Sequence, residues 1–121
     1  MKLGTMKNFE KVSIAHDARV ELHDSLHLTG AEVSINNLPA GGKVPFVHSH
    51  KKNEEIYGIL SGHGSFNLDG EDVAISAGDW LRVAPATKRQ MFAAPDSPIN
   101  FVCIQVKEGS LEGYTMTDAV V

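Results

Sequence analysis

Two histidines and a pair of glutamates are the residues of this sequence whose types and spacing best suit a bound metal ion. His48 and His50 are separated by one residue, so in an extended strand both imidazoles leave the same face. After the polar turn 51–53, Glu54 and Glu55 open an apolar run that we expect to form a second strand beside the first. Because neighbours on a strand point to opposite faces, one of the two glutamates returns to the face of the histidines.

Two neutral imidazoles and one carboxylate would leave several coordination positions of a bound ion open. Such a donor set suits a divalent transition metal, Fe, Mn, Zn or Ni, better than a closed structural zinc site. A His-x-His pair next to a polar turn is also common as a solvated surface pair. The four residues alone leave both interpretations open.

Length and composition predict one small globular domain over residues 1–121, with a core that needs no disulfide. We expect residues 1–8 to form a loose leader, in which Met6 could be an alternative start, and residues 107–121 to form a C-terminal tail. The single cysteine, Cys103, lies in an apolar run and should pack as a small hydrophobe.

Charge and hydropathy exclude several classes of partner. The net charge is -4 and no basic stripe is present, so a nucleic-acid partner is not expected. No segment has the continuous apolar run of a signal peptide or of a membrane span. These features predict a cytoplasmic protein with no membrane partner.

Short β-prone runs separated by turn residues predict an all-β fold without a helix. The expected strands cover 9–14, 19–22, 30–38, 56–60, 66–68, 73–75, 80–83, 88–93 and 99–106. Residues 31–36 alternate apolar and polar side chains, as in a half-buried strand. Asp69 and Gly70 separate two alternating runs, which favours a type I′ hairpin because both central residues need a positive φ.

The stretch around the histidines resembles the first motif of the cupin family. Gly42 lies six residues before His48, Glu55 five residues after His50, and Gly62 seven residues after Glu55, as in that motif. The resemblance implies that the second glutamate of the pair completes the metal site. It also implies a jelly-roll barrel, the cupin double-stranded β-helix, with its core at about residues 30–106.

Residues 78–89 resemble the second cupin motif with three departures. Ala84 and Ala86 replace a proline and a glycine, and Arg89 stands where the family has its fourth metal ligand, a histidine. A protonated guanidinium has no lone pair to offer a metal, so Arg89 cannot be a ligand. The adjacent Gln90 could supply an oxygen only if a bulge turned it inward.

Two further residues are candidates for substrate binding. A guanidinium beside a metal favours an anion, so Arg89 could bind a small anionic molecule bidentately. Alternatively, Arg89 forms a structural salt bridge at the barrel rim, with Asp79 or Asp96. Tyr57, two residues after Glu55, should share the face of that carboxylate and line the same cavity.

The resemblance implies a small metal-binding cupin of dioxygenase, isomerase or lyase type that acts on a small anionic molecule. The alternatives are a non-enzymatic small-molecule binding or sensing cupin, and a metal-free cupin whose former ligands act as acid and base. Whether the protein is an enzyme stays open. Cupins of this size commonly pair, so a homodimer is expected. The remaining histidines, His16, His23, His27 and His63, should be surface or turn residues, although His27 could reach a pocket.

Overall fold

A computed structural model of the chain describes residues 8–15, 19–114 and 116–121. Most of the expected leader, with Met6, lies outside these residues, as does His16. The described elements are β1 (Val20–Glu21), α1 (His23–Leu26), β2 (Glu32–Leu38), β3 (Asn53–Ser61), β4 (His63–Leu68), β5 (Glu71–Ser76), β6 (Trp80–Val83), β7 (Arg89–Ala93) and β8 (Ile99–Lys107). The expected all-β architecture is confirmed, apart from the short helix α1. No described helix is both long enough and apolar enough to cross a membrane.

Two antiparallel sheets enclose the core of the barrel. The larger sheet has the order β1-β2-β8-β3-β6, and the smaller has the order β5-β4-β7. In the larger sheet Cys103 lies opposite Ser34 on β2 and opposite Tyr57 on β3. The buried core consists of Tyr57, Ile59, Phe66, Ile75, Val83, Met91, Ala93, Ile99, Phe101 and Cys103.

Local turn chemistry predicts the β4–β5 hairpin correctly. Asp69 and Gly70 have φ values of 51° and 87°, as a type I′ turn requires. The strand predicted over 80–83 is also confirmed as β6. The four-residue helix α1 is an element that the strand pattern did not predict.

Two expected strands are wrong. Residues 9–14 form no strand, and Glu10 in this segment instead contacts His27 of the turn after α1. The histidine segment 43–50 is not a regular strand beside β3, because β6 and β8 already occupy both edges of β3. It runs along β7 instead, joined by isolated bridges, and Pro45 within it lacks the N–H that a continuous ladder needs.

The polar face of β2, rather than its apolar face, is turned toward the interior of the barrel. Its polar side chains Ser34 and Asn36 line the interior of the barrel, whereas the alternate apolar side chains point outward. Strand register places outward side chains of β3 and β8 beside them. We call this group the outer apolar face; it consists of Val33, Ile35, Ile56, Val102 and Ile104.

Candidate metal site

Three of the predicted ligands come together inside the barrel. One ligand atom from each of His48, His50 and Glu55 lies within 4.8 Å of the other two. Nε2 of His48 is 3.9 Å from Oε1 of Glu55, and Nε2 of His50 is 3.2 Å from Oε2. Glu54 points outward, where it accepts a hydrogen bond from Arg82 at 2.7 Å. The carboxylate that faces the histidines is therefore that of Glu55, which is only 4% exposed.

The histidine segment is fixed by backbone hydrogen bonds to β7 and the loop before it. The N–H of His48 donates to the carbonyl of Arg89 at 3.2 Å, and the N–H of Arg89 donates back at 2.9 Å. The N–H of His50 donates to the carbonyl of Pro85 at 2.8 Å. These bonds place both imidazoles above the inner face of β3, which carries Glu55.

Two ring nitrogens of the site fit a metal ion better than they fit the protein around them. Nδ1 of His48 and Nε2 of His50 are buried and make no hydrogen bond to any residue that the structure describes. Buried polar atoms are normally paired, so these two nitrogens need an explanation. Burial lowers the pKa of His48, and the charge of Arg89 acts in the same direction, which favours the neutral imidazole that binds metals. Two imidazoles and one carboxylate fit a divalent transition metal.

The Glu55 carboxylate accepts three hydrogen bonds from buried side chains. Tyr57 Oη and Arg89 Nη1 donate to Oε1 at 2.5 and 2.8 Å, and Cys103 Sγ donates to Oε2 at 3.3 Å. Burial alone would raise the pKa of Glu55, but the hydrogen bonds from Tyr57 and Cys103 and the charge of Arg89 lower it. Burial also raises the pKa of Tyr57 and of Cys103, so both remain protonated donors. Glu55 is therefore ionised among donors that hold it in one orientation.

Arg89 is a buried structural cation in this arrangement, with 1% of its surface exposed. Its Nε and Nη2 groups donate to the carbonyl oxygens of Ala84, Pro85 and Thr87 at 2.8 to 3.0 Å. Its ion-pair partner is Glu55 rather than Asp79 or Asp96. Arg89 is not among the described residues that line the cavity, so a direct contact with substrate stays a prediction.

A cavity of about 520 Å³ opens beside the three ligands. Tyr57 lines it, as expected, together with Phe101 and Cys103. Its polar wall and mouth are formed by Arg19, Glu21, Glu32, Ser34, Asn36, Asn37 and Gln105. These polar residues were not predicted, because the alternation in β2 alone would turn its apolar side chains toward the interior.

Other candidate residues lie away from the site. Gln90 donates from its amide to the carbonyl of Val44 at 2.7 Å and does not approach the ligands. His27 lies against Glu10 and is not among the described residues of the cavity wall. His63 begins β4 rather than standing in a turn, with Nε2 3.4 Å from Oδ1 of Asp96.

Comparison with solved structures supports the cupin fold. A cupin protein from Bacteroides fragilis is 74% identical to this chain, with a TM-score of 0.94, and the match covers 96% of this chain and 98% of that one. A sugar phosphate isomerase of the cupin superfamily from Silicibacter pomeroyi is 20% identical, with a TM-score of 0.66, over 74% of this chain and 58% of that one. A predicted oxalate decarboxylase from Thermotoga maritima is 24% identical, with a TM-score of 0.57, over 74% and 90%. The last two are similar in fold.

Sequence comparison gives a family. An uncharacterized protein from Methanocaldococcus jannaschii is 33% identical over 66 residues, which cover 54% of this chain and 52% of that protein. The chain thus matches about half the length of this relative. The cupin domain family Cupin_2 matches residues 35–105, more than half of the chain and a range that includes all three candidate ligands. The chain therefore belongs to the Cupin_2 family.

Proposed function

We propose that this cupin binds one divalent transition metal ion through His48, His50 and Glu55, and that a small organic anion occupies the cavity beside it. The observation that supports the proposal is the pair of buried imidazole nitrogens without hydrogen bonds next to an ionised carboxylate. Fe, Mn, Zn and Ni are the candidate ions. Such an ion supplies a Lewis acid for an oxygen atom of the ligand.

The charges around the cavity support an anionic ligand. The charge of Glu55 is already balanced by Arg89 at 2.8 Å. At the mouth, Arg19 pairs with Glu21 at 3.4 Å, and Glu32 accepts two backbone N–H groups at 3.1 and 2.9 Å. A divalent ion adds more positive charge than Glu32 can balance. A carboxylate or phosphate group on the ligand would supply the missing negative charge.

The residues of this chain would orient the ligand rather than react with it. The hydroxyl of Ser34 and the amides of Asn36 and Gln105 line the wall opposite the histidine segment and suit hydroxyl or carbonyl groups. A ligand oxygen bound next to the Tyr57 hydroxyl is compatible with an isomerase or lyase, and an iron ion would favour a dioxygenase. This proposal depends on the site of this chain, not on the activities of its fold relatives.

The alternative function is a small-molecule binding cupin without turnover, and one observation favours it. Tyr57 and Cys103 contribute the hydroxyl and the thiol that donate to the Glu55 carboxylate, and both are held protonated in these hydrogen bonds. Neither is poised to accept a proton from a ligand at neutral pH. Turnover of a ligand that binds the loaded protein would favour the enzyme, and binding without turnover would favour the alternative.

Alanine variants of the two histidines test the metal site. We expect the wild-type protein, purified without chelator, to carry about one equivalent of a transition metal, and His48→Ala and His50→Ala to carry almost none, because each removes one of only three protein ligands. Elemental analysis by mass spectrometry measures the content. His63→Ala is the matched control and should keep the metal. Equal content in all four proteins, or no uptake by wild type from Fe, Mn, Zn or Ni solutions, would contradict the site.

The homodimer and the cytoplasmic location stay predictions, and the outer apolar face gives the homodimer a testable surface. The five residues of this face occupy the three central strands of the larger sheet, and the half-exposed Trp80 extends it onto the edge strand β6. An apolar centre of this kind is typical of a homodimer interface.

We expect light scattering to give twice the chain mass for wild type and the single mass for Ile104→Glu. Glu71→Lys, on the other sheet, should stay dimeric; a monomeric wild type would contradict the prediction.

A further inference from the structure

We infer that Arg89 is an internal counter-ion of Glu55 that stabilises the metal-free site and weakens its affinity for a metal; the inference rests on the proposed metal site. Arg89 is paired with His48 by two reciprocal backbone hydrogen bonds, so position 89 lies directly opposite a ligand. Its Nη1 is 2.8 Å from Oε1 of Glu55. Arg89, at the position where the cupin motif has its fourth ligand, thus binds the carboxylate of the candidate ligand Glu55.

When a metal ion binds, Arg89 can neither lose its charge nor move away from Glu55. Its guanidinium stays protonated at all ordinary pH values. Its Nε and Nη2 are fixed by the carbonyl groups of the loop 84–87, and almost none of its surface reaches solvent. A divalent ion that binds Glu55 must therefore sit close to a fixed positive charge. The repulsion between the two cations opposes binding, and burial makes it stronger than in water.

The two oxygens of Glu55 have different surroundings. Oε1 accepts hydrogen bonds from both Tyr57 and Arg89. Among the residues that the structure describes, Oε2 accepts only from the weak thiol donor of Cys103, and it faces Nε2 of His50 at 3.2 Å. Oε2 is therefore the oxygen available to an ion. Arg89 acts here as a positioning residue that turns one oxygen of the ligand toward the histidines and occupies the other.

Substitutions at position 89 separate the effect of the positive charge on metal affinity from the effect of an added metal ligand. Zn(II) and Mn(II) binding to metal-free protein would be measured by isothermal titration calorimetry for wild type, Arg89→His, Arg89→Met and Arg89→Lys. An opposite charge beside a carboxyl group shifts its pKa by about 1–3 units, and a like charge should oppose the binding of a cation by a comparable factor. We therefore expect Arg89→Met, which removes the charge, to bind at least about tenfold more tightly than Arg89→Lys, which keeps it. Arg89→His should bind more tightly still, because it also adds an imidazole.

Thermal unfolding supplies a second readout that does not depend on activity. In chelator, Arg89→Met and Arg89→His should unfold at lower temperature than wild type, because Glu55 loses its buried partner. Zn(II) should raise the unfolding temperature of Arg89→His more than that of wild type.

The results distinguish the two proposals from each other. If wild type binds one equivalent but Arg89→Met binds no more tightly than Arg89→Lys, the counter-ion inference is overturned and the metal site stands. If neither wild type nor any variant binds either ion, the metal site itself is overturned, and the inference falls with it. Should Arg89→His fail to fold, the comparison of the Met and Lys variants still decides the inference.

Discussion

Replacement of Glu55 by alanine is expected to lower the free energy of unfolding by about 3–5 kcal/mol, even with chelator present, because it leaves a buried cation without its partner. Arg89 would keep its carbonyl contacts but lose the carboxylate 2.8 Å away, and it is too deeply buried for water to replace that group. Tyr57 and Cys103 would lose their acceptor as well. Urea unfolding of metal-free protein measures the change.

The neighbouring glutamate provides the matched control. Glu54 pairs with Arg82 at the surface, where the arginine side chain is 54% exposed, so Glu54→Ala should cost about 1 kcal/mol or less. A double variant, Glu55→Leu with Arg89→Met, removes both buried charges and should recover much of the loss of Glu55→Ala. Equal losses of unfolding free energy for Glu54→Ala and Glu55→Ala would show that the buried Glu55–Arg89 pair stabilises the fold no more than the surface pair does.

Gly62→Ala is expected to lower the free energy of unfolding by more than about 4 kcal/mol, a large loss for the addition of one methyl group. Gly62 links β3 to β4 with a φ of 86°, and a Cβ at this position would lie 1.8 Å from the carbonyl oxygen of Pro98. The contact is with the backbone of the residue just before β8, so it cannot be relieved by a side-chain rotation. Both the backbone conformation and the overlap therefore oppose the substitution.

Gly70→Ala isolates the conformational part of this effect. Gly70 has almost the same φ, 87°, but a Cβ there would meet nothing within 4 Å. An alanine in the left-handed region costs about 1–2 kcal/mol, so Gly70→Ala should lose only that amount. Chemical denaturation of the two variants gives the comparison. Similar losses for both would mean that the Pro98 backbone moves aside at little cost.

Much of the fold follows from local signals in the sequence. The Asp69-Gly70 turn and the strand over 80–83 depend on a few adjacent residues, and these predictions are confirmed. The segment 9–14 has strand propensity but does not form a strand, because propensity cannot show whether a partner edge is available. The same limit explains why the sequence pattern favours β3 as the neighbour of the histidine segment, whereas the segment runs along β7. The choice between β3 and β7 depends on long-range pairing.

The grouping of the three candidate ligands was predictable from the sequence, but the electrostatics around them was not. The resemblance of residues 42–62 to the first cupin motif points to His48, His50 and Glu55, and the structure brings these three together. The partner of Arg89 is 34 residues away in sequence, and no local pattern identifies it. Cys103 packs in the core as expected, yet its thiol also donates to Glu55. The polar face of β2 lines the cavity, although alternation alone would assign the buried side to its apolar residues.

The position of β8 in the larger sheet has a consequence for how the protein is made. β8 lies between β2 and β3, so the cavity wall on β2 and Glu55 on β3 cannot reach their final relative positions until this strand is present. During synthesis β2 and β3 leave the ribosome before β8, which lies about half the chain length away in sequence. Until β8 is available, each of the two strands keeps an unpaired edge. Such long-range pairing slows folding and leaves exposed edges open to aggregation. Glu55 and the cavity wall on β2 are therefore brought together only when β8 pairs with both of its neighbours.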